Sequence, residues 1–388
     1  MPQSHECEIR FEDNPSAVYF PGQALSGHVK LRILESFKVT GISLHLKGFA
    51  EVHWSETSGS GKNRNTTHYR GRQDYINTVT FLQGSHDSGS FDLVPGTQSH
   101  PFCYQLPVNL PSSYEGKHGH IRYALKVVLH RPWKIDSKYK VVFNVQCLVN
   151  LNENAIALAV PCKMEIQKIF CCWPCASKPL YISVQIPFSG YVAGQMIAVH
   201  IEASNRSGRK VLGFSTKLER IVSYISQTPR TRVKRINETV AIACGQGVAA
   251  GGQGSWDHHL RVPAIPPTCN QSQLLTVGYQ LVVEGNVSGP SINPSITIPI
   301  TIGTVALVAN GMSAMDSNHD QLQQYPVSMG PIATAPVLQE QSASLLPYPS
   351  TPFFPYGDPE PIAPPSVPEE LLPPPTYEEA VSAPSFNF

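Results

Sequence analysis

The chain has 388 residues, more than one ordinary core accommodates, and its 35 prolines and 28 glycines exclude a mainly helical protein. A formal net charge of +1 gives no reason to expect a nucleic-acid partner, and nine cysteines without a small-domain framework fit a reducing compartment. Apolar runs such as Ala155 to Val160 are too short to span a bilayer. In chain order, Met1 to Glu12 is polar and charged and does not read as a signal peptide, which predicts a cytoplasmic protein. Period-two alternation then predicts strands with one buried face. It places Val29, Leu31 and Ile33 on one side of 28–34, and Ile42, Leu44 and Leu46 on one side of 41–47. In 121–129 every odd position is apolar, and Ile182, Val184 and Ile186 repeat the pattern. Leu275, Val277, Tyr279, Leu281 and Val283 form the last such face. Turn residues separate these runs and no long helical stripe interrupts them, so β-sandwiches are expected rather than a βαβ enzyme fold. Triplets such as Asn65-Thr66-Thr67, Asn205-Arg206-Ser207 and Asn237-Glu238-Thr239 are chance matches to a glycosylation signal in such a protein.

The chain also resembles itself. A shift of 172 residues lays Tyr19, Gly22, Gln23, His28, Lys38, Val39, Gly41, Ser43 and Leu46 on Tyr191, Gly194, Gln195, His200, Lys210, Val211, Gly213, Ser215 and Leu218. Nine identities in one ungapped stretch imply two homologous units, each opened by a Gly-Gln turn.

From Thr304 onward there is no Lys or Arg, while nine acids and 16 of the prolines occur there, so the preceding body carries a net +10. This tail lacks periodic apolar patterning and is expected to be disordered. Near its end stands Pro374-Pro375-Thr376-Tyr377. Consecutive prolines populate the polyproline II helix, whose three-residue turn puts Pro374 and Tyr377 on one side, ready for an aromatic groove of the WW type. Pro374, Pro375 and Tyr377 are therefore the candidate WW-domain-binding residues. Thr376 points elsewhere.

Other motifs compete for chemical significance. Cys172-Trp173-Pro174-Cys175, preceded by Cys171, has the spacing of a thiol-redox pair, but its flanks read as strand ends and supply no helix N-terminus to lower a thiol pKa. Ordinary linker cysteines are the favoured reading over redox, metal or acyl-chain attachment. Ser58 to Asn63 imitates a phosphate loop, with Glu56 and Asn63 where Gly and Ser/Thr are required. Gly245 to Gly254 reads as a long hairpin connection, and His258-His259 as neighbours on opposite strand faces. The basic cluster Arg230, Arg232, Lys234 and Arg235 is read first as a solvated hairpin face, with phosphate or acidic-peptide binding as the alternative. No catalytic, cofactor-binding or metal residues are assigned.

The residues also resemble a family. Phe20-Pro21-Gly22-Gln23-Ala24-Leu25-Ser26-Gly27-His28-Val29, Pro101 to Pro107, Leu110 to Gly116, Gly119 to Tyr123 and Arg131-Pro132-Trp133 are similar, in order, to the N-terminal domain of alpha-arrestins, the arrestin domain-containing proteins. Trp256, Val262 to Pro267, Tyr279 and Pro299 to Thr304 are similar to the second domain. The resemblance implies an all-β chain with two consecutive arrestin-like, immunoglobulin-like β-sandwich domains at 5–150 and 179–303. A linker at 151–178 would join them, and a disordered proline-rich C-terminal tail would occupy 304–388. It further implies a non-enzymatic adaptor without cofactors. Such an adaptor recruits a WW-domain HECT-type ubiquitin ligase to the cytosolic regions of membrane receptors or transporters, at the plasma membrane and endosomes, and promotes their ubiquitination and endocytosis. The alternatives are a ligase-independent endosomal trafficking scaffold and a thiol-redox protein using Cys172 and Cys175. The chain departs from the family in carrying one well-spaced Pro-Pro-x-Tyr motif where relatives often carry two, and in Thr268 to Ser272.

Overall fold

Alternating apolar residues form strands wherever a second sheet can cover the apolar face. The computed structural model describes residues 4–308 except 13, 62–63, 86–88 and 173–174, and these residues are mostly strand. The first half supplies β1 (His5–Phe11), β2 (Val18–Tyr19), β3 (Ala24–Ile33), β4 (Phe37–Val39), β5 (Gly41–Ser58) and β6 (Asn65–Gly84). It continues with β7 (Phe91–Leu93), β8 (Gly96–Gln105), β9 (Tyr114–Gly116), β10 (Gly119–His130) and β11 (Ser137–Val145). One sheet runs β1-β3-β8, and the other runs β2-β11-β10-β5-β6 with β9 on β10. Val29, Leu31, Ile33, Leu44, Leu46, Leu125, Val127 and Leu129 fill the core between them, all essentially inaccessible. Each contributes about 1.5–3 kcal/mol by leaving water.

A 3₁₀ turn at Leu151–Asn154 and the single-turn α1 (Ala155–Leu158) carry the chain onward. The second half supplies β12 (Cys162–Lys168), β13 (Cys171–Cys172), β14 (Cys175–Ala176), β15 (Leu180–Ile186) and β16 (Gly190–Val192). Then follow β17 (Met196–Asn205), β18 (Val211–Ser226), β19 (Arg232–Gln246), β20 (Gln253–Arg261), β21 (Leu275–Val287) and β22 (Ser295–Gly303). Its sheets run β12-β15-β17-β20 and β16-β22-β21-β18-β19.

The 172-residue repeat is visible in the turn chemistry. Gly22 and Gly194 adopt φ of 80° and 89°, a region that a Cβ disfavours, and each precedes the glutamine that closes its turn. The Gln23 and Gln195 side chains accept from the backbone N–H of Phe20 and Val192 at 3.0 and 2.9 Å. Tyr19 and Tyr191 are buried beside them, on β2 and β16, the parallel edge strands of the two large sheets. A second device is shared: the Tyr123 hydroxyl donates to the Pro111 carbonyl at 2.7 Å, and that of Tyr279 to the Pro266 carbonyl at 2.6 Å. The segments before these tyrosines clip onto the last strand through Ser113 with Val145 and Thr268 with Ile302.

Three expectations need revision. The segment read as an interdomain linker contains β12, which pairs along its whole length with β15. An edge strand has one covered side and carries polar residues, so its alternation is weak in sequence. The Gly245–Gly254 stretch does not close a hairpin, because β19 and β20 belong to different sheets and the chain crosses between them. Val248 is buried in that crossing, and its carbonyl accepts from Val211 N–H at 2.9 Å. The strand expected at 41–47 extends to Ser58 because β6 pairs with it throughout and Trp54 stacks on Tyr69 at 5.3 Å.

Candidate functional site

Pro374, Pro375 and Tyr377 lie outside the described residues. What the structure describes is the chain leading toward them. Beyond β22 the backbone returns to the connection between the sandwiches. Val149 N–H donates to Thr304 Oγ1 at 2.8 Å, Asn152 Nδ2 to the Ala306 carbonyl at 2.8 Å, and Val308 N–H to Asn152 Oδ1 at 2.8 Å. Asn150 and Val305 form a parallel bridge. The segment that precedes the tail is thereby stitched to residues 149–152.

A second set of bonds joins the sandwiches directly. Arg70 on β6 exchanges backbone hydrogen bonds with Thr228, in the turn after β18, at 2.9 Å each way. Arg72 N–H donates to Gln227 Oε1 at 2.9 Å, and Gln273 N–H to Gln73 Oε1 at 3.1 Å. Tyr114 on β9 is pushed up to about 12 by its burial, with the positive Arg220 of β18 opposing. The rings of His118 and Tyr224 meet edge to face at 5.5 Å. Such contacts join the two sandwiches. Sequence reading missed Gln73, Gln227 and Gln273, because glutamines that meet only in the folded chain carry no local signal.

The remaining candidates resolve individually. The backbones of Cys171–Cys172 and Cys175–Ala176 pair as a two-strand ladder rather than opening a helix. Cys7, Cys103, Cys147, Cys162, Cys244 and Cys269 are free. Burial pushes the Cys7 thiol up to about 12 and raises those of Cys147 and Cys269, which keeps them protonated and poorly nucleophilic. His258 turns inward, 2.8 Å from Thr216 Oγ1, and its ring is held neutral first by burial, while His259 is exposed. Arg232 in the basic cluster lies 3.5 Å from Glu56 of the first sandwich, and Arg230 and Arg235 are exposed. Among the described residues no group of His, Cys, Asp and Glu side chains is arranged to hold a metal ion, and no helix is long and apolar enough to cross a membrane.

A depression of about 610 Å³ lies on the outer face of the β12-β15-β17-β20 sheet, lined by Glu165, Tyr181, Ser183, Glu202, Ser204 and Ser255. Nearby, His200 is held by Asp257 at 2.7 Å, and that hydrogen bond raises its pKa. Open to solvent, and lined by polar and apolar atoms in about equal measure, the depression suits recognition of a solvated surface better than reactions that require water to be excluded.

Known proteins supply the remaining observation. The family description "Arrestin (or S-antigen), N-terminal domain" matches residues 7–152, and its C-terminal counterpart matches 176–307. The chain is 27% identical over 300 residues to Arrestin domain-containing protein 4 of Mus musculus, covering 76% of this chain and 71% of that protein. It is 28% identical over 323 residues to Arrestin domain-containing protein 17 of Caenorhabditis elegans, covering 79% and 72%. Against Thioredoxin-interacting protein of Homo sapiens the identity is 27% over 316 residues, covering 80% and 77%.

Proposed function

Because the chain belongs to the alpha-arrestins, the arrestin domain-containing proteins, we propose that it is an adaptor that brings a WW-domain HECT-type ubiquitin ligase to membrane-protein cargo. Arrestin-family proteins are generally non-enzymatic adaptors, and the relatives support a role in trafficking. The observation that carries the finer reading is Pro374-Pro375-Thr376-Tyr377, set in an acidic, proline-rich sequence after two arrestin domains. A polyproline II ligand loses little entropy on docking, and Tyr377 supplies the ring that fills the groove. Tethering the ligase beside cargo held by the sandwiches raises its effective concentration, favouring ubiquitination, endocytosis and endosomal sorting. The tail has no lysine, so ubiquitin on lysine goes to the cargo or to the body.

Binding of the full chain to isolated WW domains tests this reading. Tyr377→Ala should lower affinity at least about tenfold, the loss of roughly 1.4 kcal/mol expected for one anchoring ring. Affinity unchanged by the substitution removes ligase recruitment through this motif. A ligase-independent trafficking scaffold is then the better description.

A further inference from the structure

The outer face of the large N-terminal sheet gathers cations from three strands. Lys126 on β10 stands directly opposite Lys140 on β11 and opposite His45 on β5. Two residues along on the same face, Ala124 faces Lys47 and Val142, and in the other direction Val128 faces Lys138. No ion pair is formed by Lys47, Lys126, Lys138 or Lys140 among the described residues. Like charges on facing strand positions repel. The Lys126 ammonium is lowered in pKa first by burial and then by Lys47, Lys138 and Lys140.

The hairpin that ends this face adds the opposite character. Between β10 and β11 the turn presents Trp133 and Ile135, which are 102% and 90% exposed, with Arg131 and Lys134 beside them. The base of the turn is fixed. Arg131 N–H donates to Asp136 Oδ1 at 3.1 Å, the Arg131 guanidinium lies 4.8 Å over the Phe37 ring, and Asp136 Oδ2 is 3.3 Å from His130 Nδ1. Asp136, the acid on this hairpin, is thus engaged at its base. An indole and an isobutyl-sized side chain held in water at a loop tip, bordered by lysines, match the headgroup boundary of a bilayer, where aromatic rings settle and cations meet anionic phosphates.

We propose that this hairpin tip and the lysine face behind it dock on anionic phospholipid bilayers, with Trp133 and Ile135 entering the interface and Lys47, Lys126, Lys138 and Lys140 meeting the phosphates. Charge complementarity selects the acidic leaflet. An acidic peptide, including the chain's own Asp358–Glu379 stretch, would satisfy the lysines but leaves Trp133 and Ile135 without a role. The inference rests on the trafficking reading only in placing the protein beside a membrane.

The full chain is tested by co-sedimentation with phosphatidylcholine vesicles, with and without phosphatidylserine. Binding should require phosphatidylserine and fall steeply as salt rises to about 0.5 M. The exposed pair Lys138→Gln/Lys140→Gln should weaken it about 25-fold, roughly fivefold per lysine. Trp133→Ser/Ile135→Ser should weaken it on the order of a hundredfold, about tenfold for each apolar side chain lost from the interface, and should remove the tryptophan quenching that brominated lipids cause. Both variants change exposed residues, and an unchanged thermal transition verifies their fold. Tyr377→Ala should bind vesicles as the unaltered chain does, so loss of ligase binding and loss of lipid binding are separable. The proposal is overturned by absent vesicle binding or by equal binding to neutral vesicles. It is equally overturned by binding that ignores the tip substitutions and is displaced by a peptide of residues 358–379, which identifies an acidic peptide as the partner.

Discussion

The two sandwiches share their inner devices and differ on their outer faces. Both use a glycine–glutamine turn and a buried tyrosine whose hydroxyl holds a proline carbonyl. On the outer face of the second sandwich's large sheet, however, Lys217 meets Glu284 at 3.0 Å and Gln280 donates to Glu219 at 2.9 Å. The corresponding sheet of the first sandwich gathers Lys47, Lys126, Lys138 and Lys140 on one face, with Lys126 directly opposite Lys140. Packing constrains the inward positions to a few side chains, whereas a solvated outer position tolerates either sign. The outward faces are therefore where two copies of one fold are free to diverge.

The shared part of this comparison breaks most visibly at the tyrosines. Burial raises both phenol pKa values, so each hydroxyl remains a donor, and Tyr→Phe leaves a proline carbonyl unpaired. Tyr123→Phe and Tyr279→Phe should each cost about 1–3 kcal/mol in chemical denaturation. A large loss at one and none at the other would show that the devices are similar in geometry only.

The contrast between the outer faces is smaller and carries opposite signs. Lys126→Gln relieves repulsion and should stabilise the chain by about 0.2–1 kcal/mol, with the gain shrinking as salt screens it. Lys217→Gln removes the partner of Glu284, whose carboxyl is held low first by Asn293 and then by Lys217. It should destabilise by up to about 1 kcal/mol. Melting temperatures across a salt series check both signs.

The effect of the histidines is read from the shape of the pH profile. Burial, then Lys126, Lys47 and His130, push the His45 imidazole down to about 4, below its unfolded value of 6.5. Its contribution is complete above the unfolded value and is lost as pH falls toward 4. On the second sandwich, Asp257 raises His200, whose contribution is present below the unfolded value and is lost as pH rises through the raised one. His45→Gln should flatten the acid limb of the stability profile. His200→Gln should lower stability only below the raised value and leave higher pH unchanged, and weakly, since that ring is exposed to solvent screening.

The sequence alone determined whatever depends on neighbours along the chain. Period-two burial marked the strands at 28–34, 121–129, 182–186 and 275–283, and turn residues repeated at 172 positions revealed a duplicated unit. The Pro374-Pro375-Thr376-Tyr377 motif, whose conformational bias is local, was equally legible, although it lies outside the described residues. Tertiary structure decided what depends on register between distant strands. Only pairing shows that β12 completes a sheet, that the Gly245–Gly254 stretch crosses between two sheets, and that Gln227 closes onto Arg72 across 155 residues. Only pairing, too, sets lysines from β5, β10 and β11 on one face, behind an exposed Trp133. The physical reason is that a strand's side-chain alternation is written in its own residues, while its partner and register are fixed by the core that all strands bury together.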